Sequence, residues 1–270
     1  MSPIKLLRQS TIDTLNSIDS LPTLPDLFLN IQSVLNTPES TLQDLTQAIE
    51  HDQTIAVMIV KIANSSYYNP MNKPTSSLSF AISRLGRIET SNIALSISLL
   101  YGFSLPTGIA NMRRFWAHAF AVGQTCRKIC IQRPKESQLN SDELFLSGLL
   151  HDIGRAILGI RIDPQYFEQD LANFHGEELI QAEQQAYGID HAQVGAIILK
   201  QWGFPDAFCQ RIRQHHSSNS CNINDNILTL ADSIVHQHLS NLTTIEEVEI
   251  KTRDSEFDAM ITQHLTEMSW

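Results

Sequence analysis

Apolar residues recur at helical spacing in nearly every segment of these 270 residues, while strand-type alternation bounded by Asn-Gly or Asp-Gly hairpin turns is missing. That regularity restricts the chain to an all-α fold, in which helices bury their apolar stripes against other helices. At 42% hydrophobic composition it can bury one large core or two modest ones. The spacing predicts helices over 4–18, 26–35, 41–50, 53–66, 79–85 and 89–100, and then over 111–131, 141–158, 164–175, 179–187, 192–202, 205–215 and 223–239. Pro25 suits a helix start, and Thr41 with Asp44 three residues on resembles a capping box. Gly102, Ser104 and Pro106 break the pattern. We therefore expect two packed helical lobes, 1–106 and 107–242, followed by an acidic extension over 243–270.

Charge and cysteine usage narrow the function classes. With 29 acidic against 19 basic side chains, a formal charge of −10 repels a phosphate backbone or an anionic leaflet, so nucleic acid and membrane are not expected partners. No run reaches the roughly 18 apolar residues of a membrane span, and the first residues lack a signal-peptide stretch. Cys126, Cys130, Cys209 and Cys221 have no CxxC spacing and read as thiols. Together these features predict a cytoplasmic location.

Polar groups on faces that should be buried carry the functional signal. His118 shares a stripe with Phe115, Val122 and Cys126; Asp152 with Phe145, Leu149 and Ala156; His215 with Phe208 and Ile212; Asp232 with Leu228 and Val235. Taken singly, each has a bland reading: a satisfied core histidine, a carboxylate paired with Arg155, His191 in the first turn of a helix, or His215 and His216 facing a helix dipole. Jointly they ask for more. Burying one unpaired carboxylate costs several kcal/mol, and a divalent metal would satisfy both carboxylates and the imidazoles together.

The order His118, His151-Asp152, His191, His215-His216, Asp232 resembles the ligand order of the HD superfamily of metal-dependent phosphohydrolases. LFLSGLLHDIGRAIL (144–158), GIDHAQVGAIILKQWGFP (188–205) and IRQHH (212–216) carry that likeness. LPTLPDL (21–27), KIANSSYYNP (61–70) and FAISRLGRIETSNIAL (80–95) resemble the signatures of the HDOD family, so the similarity covers roughly Leu21 to Leu239. It implies a two-lobed helical protein of bacterial signalling, with a protein partner or a nucleotide second messenger as its ligand. Most members of the family are thought to have lost hydrolysis along with several metal ligands, whereas the ligand set here looks complete. Carried over residue by residue, His118, His151, Asp152 and Asp232 would hold one metal. Asp152 would bridge to a second held by His191 and by His215 or His216. One or two divalent ions are thus expected, iron or manganese first, zinc or nickel next.

Three departures from the family's cyclic-dinucleotide phosphodiesterases bear on catalysis. Arg155 stands where their HDIGK motif has lysine, leaving Asp152 and Arg155 as the catalytic candidates. Ser217-Ser218-Asn219-Ser220-Cys221 follows the paired histidines in place of a Gly-Tyr-Pro loop, and Arg114 replaces an acidic ligand of trinuclear members, so at most two metals are expected. The expected function is an HDOD-type regulatory protein with a retained metal site; the alternative is an active phosphohydrolase on a nucleotide or cyclic dinucleotide. Asn64, Tyr67 and Tyr68 resemble family residues, and the aromatic pair reads as a packing plug rather than a binding site.

Overall fold

The computed structural model describes residues 3–16, 23–132, 141–168, 175–217 and 223–240, and among them there are helices and turns but no strand. The anticipated extension over 243–270 lies outside the described residues, as does most of the Ser217–Cys221 stretch. No helix of the described residues is long and apolar enough to cross a membrane.

Two compact units emerge. One spans Leu24–Phe103 and contains α2 (Asp26–Asn36), α3 (Leu42–Glu50), α4 (Gln53–Ala63), α5 (Leu78–Leu85) and α6 (Arg87–Gly102). The capping box at Thr41 is present, with Thr41 accepting from the Asp44 amide and Asp44 accepting from the Thr41 amide. Asn64 closes α4 by exchanging two hydrogen bonds with the Thr75 backbone at 2.7 and 2.8 Å. Arg84 clamps the same turn through the Ala63 and Lys73 carbonyls. Tyr68 donates to Glu89 at 2.7 Å and so ties this turn to α6, whereas Tyr67 is 39% exposed and does not act as the packing plug its sequence suggests.

The second unit begins at Ser104 and also includes α1 (Pro3–Asn16), which sequence spacing alone had grouped with residues up to 106. The reason is local: Thr11 donates to the Tyr187 carbonyl at 3.0 Å, and Gln201 donates to Asn16 at 3.0 Å. The rest of this unit comprises α7 (Ile109–Gln132), α8 (Ser141–Leu150), α9 (Ile153–Ile157), a π-turn (Leu158–Ile162), α10 (Gly176–Tyr187), α11 (His191–Gln201), α12 (Asp206–Gln214) and α13 (Ile223–Ser240).

Two features depart from the expected helices. The predicted helix 141–158 breaks at His151-Asp152, where Asp152 has φ −97° and ψ 9°. The break lets α9 press against α11 so closely that a Cβ on Gly154 would lie 1.9 Å from the His191 carbonyl oxygen. Pro164–Glu168, predicted as the start of a helix, forms a turn instead; it buries Tyr166 completely and Phe167 nearly so.

Candidate metal centre

Each candidate ligand arrives from a different element of the second unit. His118 lies mid-way along α7 among buried Phe115, Val122 and Cys126, as the stripe predicts. His151 and Asp152 occupy the break between α8 and α9. Gly188, at φ 72°, ends α10 in the left-handed conformation, and Asp190 then caps α11 by accepting from the Gln193 amide, which makes His191 the first residue of α11. His215 and His216 follow α12, and Asp232 sits on α13.

These side chains meet. Asp152 Oδ1 lies 3.3 Å from His191 Nε2, 3.6 Å from His151 Nε2 and 3.9 Å from His215 Nε2. Asp232 Oδ1 lies 3.1 Å from His118 Nε2 and 3.6 Å from His151 Nε2, so His151 stands between the two carboxylates. His216 Nε2 comes within 3.1 Å of His191 Nε2. His151, His191 and His215 are at most 1% exposed, and His216 forms part of a more open edge.

The imidazoles are held in one tautomer. His151 Nδ1–H donates to the Gly148 carbonyl at 2.7 Å and His215 Nδ1–H to the Ile212 carbonyl at 2.6 Å. His191 Nδ1–H donates to Glu183 Oε2 at 2.7 Å. A carbonyl can only accept, so the Nδ1 of His151 and of His215 carries a proton, and in the neutral ring it is the Nε2 lone pair that turns inward; the Glu183 carboxylate does the same for His191. Atoms bound about 2.1 Å from one cation stand roughly 3 to 3.5 Å apart, and most of the distances above fall in or near that interval.

Two polar atoms at the centre support the same fit. His215 Nε2 and Asp232 Oδ1 are buried and lack a well-aligned hydrogen bond, even though Asp232 is close enough to His118 and His151 for ion pairing. Groups whose ligand atoms lie within 4.8 Å of one another are Asp152, His191, His215 and His216; His118, His151 and Asp152; and His118, Asp232 and His236. The residues therefore suit borderline divalent cations.

Electrostatics follow from burial and crowding. Burial alone would raise the Asp152 pKa, but His151, Arg155 and His191 outweigh it and hold the carboxyl well below the usual carboxylate range. Asp232 is held low in the same way, burial being outweighed by His118 and His151. Burial pulls the His151 pKa down, yet Asp152 and Asp232 lift it to about 9. Burial, with His151 and His191 nearby, drops His215 to about 4, leaving it neutral at pH 7.

Arg155 points inward. Its Nη1 lies 3.2 Å from Asp152 Oδ2, and its Nε donates to the Tyr166 hydroxyl at 3.1 Å. Tyr166 in turn donates to Glu183, so Asp152, Arg155, Tyr166, Glu183 and His191 form one closed buried chain. Arg114 is exposed. The sequence reading missed Tyr166, Glu183 and His236 in this neighbourhood. Glu183, fully buried, carries no signal beyond its place on the inner stripe of α10; His236, one turn after Asp232 with its Nε2 3.7 Å from Asp232 Oδ1, could have been found from i, i+4 spacing.

Solved structures share the fold. An HDOD domain protein from Geobacter sulfurreducens superposes with a TM-score of 0.69 at 21% identity, covering 98% of this chain and 89% of that one. A protein from Marinobacter aquaeolei VT8, provisionally named for signal transduction, gives 0.66 at 19% identity, covering 98% of this chain and 62% of that one. A Shewanella amazonensis SB2B protein, provisionally named a metal-dependent phosphohydrolase, gives 0.59 at 22% identity, covering 97% and 91%. Among curated proteins, an uncharacterized protein of Treponema pallidum (strain Nichols) is 24% identical over 207 residues, 74% of this chain, and the chain spans only 38% of that protein's length. The HDOD domain family matches residues 21–218, most of the chain and both of its units, and this protein therefore belongs to the HDOD family.

Proposed function

We propose that this chain is an HDOD signal-transduction module assembled around a retained His/Asp centre for one or two divalent metal ions. One observation carries the metal reading: the Nε2 atoms of His151, His191 and His215, each oriented by its own Nδ1 hydrogen bond, converge on Asp152 Oδ1. His118 and Asp232 complete the ligand set, and His216 adds a nitrogen beside His191. Nitrogen and carboxylate donors favour iron or manganese, with zinc or nickel next. Bound there, a cation supplies folding free energy and Lewis acidity.

A regulatory role is favoured over hydrolysis by Arg155. Its Nε and Nη1 already serve Tyr166 and Asp152 inside the fold, which makes it a weaker grip for an incoming phosphate than an uncommitted lysine or arginine. The names of the Marinobacter and Shewanella proteins are consistent with signalling and phosphohydrolase readings respectively. We expect the ligand of the module to be a protein partner or a nucleotide second messenger, in the cytoplasm.

The second reading, hydrolysis of a nucleotide or cyclic dinucleotide, draws on the ligand set and on the half-buried edge at His216. There Asp152 would orient the attacking water and Arg155 would hold Asp152. The test measures metal content of untagged protein and turnover of a nucleotide panel with added manganese or iron. Bound metal without turnover supports the regulatory module; turnover abolished by Asp152→Asn establishes the enzyme; protein that takes up no metal overturns both.

A further inference from the structure

In the unit spanning Leu24–Phe103, Tyr67, Met71 and Phe80 leave 39, 78 and 56% of their surfaces exposed. Scattered apolar side chains need no explanation, but these three belong to neighbouring elements held together by one cation. Tyr67 and Met71 lie in the turn of residues 64–75 that follows α4, and Phe80 lies in the first turn of α5. The Arg84 guanidinium joins the two: it sits 5.2 Å from the centre of the Phe80 ring and donates at 2.7 Å to the Lys73 carbonyl.

No ion pair cancels the charge of this face. Arg84 bonds only to uncharged oxygens, the Ala63 and Lys73 carbonyls and Asn64 Oδ1. Lys73 is exposed, and neither it nor Arg84 pairs with a carboxylate among the described residues. In a chain with 29 acidic against 19 basic side chains, two such cations beside exposed aromatic and thioether groups ask for an occupant that is both acidic and apolar.

The chain itself carries a segment of that kind. Residues 256–268, EFDAMITQHLTEM, lie outside the described residues, and their sequence puts Phe257, Met260, Ile261, Leu265 and Met268, with His264 among them, on one stripe at helical spacing. Asp258 borders that stripe on one side, and Glu256 and Glu267 border it on the other. No Lys or Arg occurs from Asp254 to Trp270. A helix this short is marginal in water by itself, so the stripe needs a surface to fold against. The run 241–255 that leads to it reaches about 50 Å when extended, more than the roughly 30 Å breadth of a unit of about 80 residues.

We propose that residues 256–268 dock in cis, as an acidic amphipathic helix, on the face made by Tyr67, Met71, Lys73, Phe80 and Arg84. The apolar stripe lies on Phe80 and Met71, and the acidic edges lie beside Lys73 and Arg84. The segment then acts as a built-in cover, since a second acidic helix can reach this face only by displacing it. No residue of the face belongs to the His/Asp centre, so the contact stands or falls apart from the metal reading.

The test is hydrogen exchange of the full-length protein, read by mass spectrometry on peptides covering 64–80 and 256–268. In wild type the amides of 256–268 are expected to exchange at least about 10-fold more slowly than in an unstructured chain. Phe80→Ser, and Ile261→Ser combined with Leu265→Ser, should each bring that rate to the unstructured value, and Lys73→Glu should raise it by about 3-fold or more. The paired change at 261 and 265 should also speed exchange in the peptide covering the face. A 256–268 segment that exchanges at the unstructured rate in wild type would overturn the proposal and leave the face to a partner in trans. Protection that survives Phe80→Ser combined with Lys73→Glu would overturn it as well, because the segment then docks elsewhere. Protection that fades on dilution in step with dissociation of a dimer would assign the face to a second copy, against the contact in cis. Should Phe80→Ser lower the thermal midpoint, Lys73→Glu and the paired change decide.

Discussion

Glu183 and His191 form a fully buried pair in which one carboxylate oxygen takes both hydrogens of the same residue: Oε2 accepts the His191 backbone amide at 2.8 Å and its Nδ1–H at 2.7 Å. The pair fixes the ring's orientation and its tautomer together, and it places Nε2 3.3 Å from Asp152. Burial works to lower the His191 pKa, but Glu183 and Asp152 hold it above its usual value.

Removing the charge from Glu183 should therefore loosen metal without touching a ligand. Glu183→Gln is expected to weaken metal binding by about 10- to 100-fold, as loss of the outer partners of metal-binding histidines generally does. Competition against a chelator of known affinity measures it. An unchanged affinity would mean that His191 takes no part in binding.

Asp152→Asn should abolish tight metal binding and also destabilise the metal-free fold. Arg155 would keep a hydrogen-bonding neighbour but lose its buried counter-charge. We expect a loss of about 3 kcal/mol, at the lower end for breaking a buried ion pair, read by urea unfolding of chelator-treated protein. A variant as stable as wild type would show that the Asp152 charge does not offset Arg155.

Gly154→Ala tests the contact between α9 and α11. The added methyl would meet the His191 carbonyl at 1.9 Å and the Gly195 amide nitrogen at 2.7 Å, and backbone cannot step aside as a side chain can. Destabilisation of about 3 kcal/mol or more is expected, together with weaker metal binding because His191 is displaced. Retention of wild-type stability would contradict this packing.

Protonation should be linked to metal in a defined direction. His151, lifted to about 9, carries a proton at pH 7 in the metal-free protein and must lose it to ligate, whereas His215 at about 4 has none to lose. Metal uptake at pH 7 should therefore release at least one proton, and affinity should rise with pH toward about 9; calorimetry in buffers of different ionisation enthalpy measures both.

In the metal-free state the same groups bound the pH range of stability. The raised His151 contributes fully below its ordinary pKa of 6.5, and its contribution is lost as pH climbs through about 9. The lowered Asp152 and Asp232 contribute above the ordinary carboxylate value of 3.8, and theirs is lost as pH falls through their lower folded values. Chelator-treated protein should be most stable between these limits; a metal-free optimum above pH 9 would refute the assignment.

Helical periodicity made the fold class legible, along with the buried stripes of His118, His215 and Asp232, because apolar spacing at 3.6 residues per turn is a property of the chain taken locally. The same local logic misjudged His151-Asp152. Their flanking residues are mostly apolar, so spacing alone continues a helix through them, whereas the structure breaks the helix there and brings Gly154 close against α11. The order of the candidate His and Asp residues along the chain was readable residue by residue. What only the tertiary structure decided was which nitrogens point inward, that Arg155 already serves Asp152 and Tyr166 within the fold, that α1 joins the later unit, and that Glu183 and His236 belong beside residues distant in sequence. Those facts depend on pairings between different helices, and no local pattern along the chain encodes the distance between side chains that packing brings together.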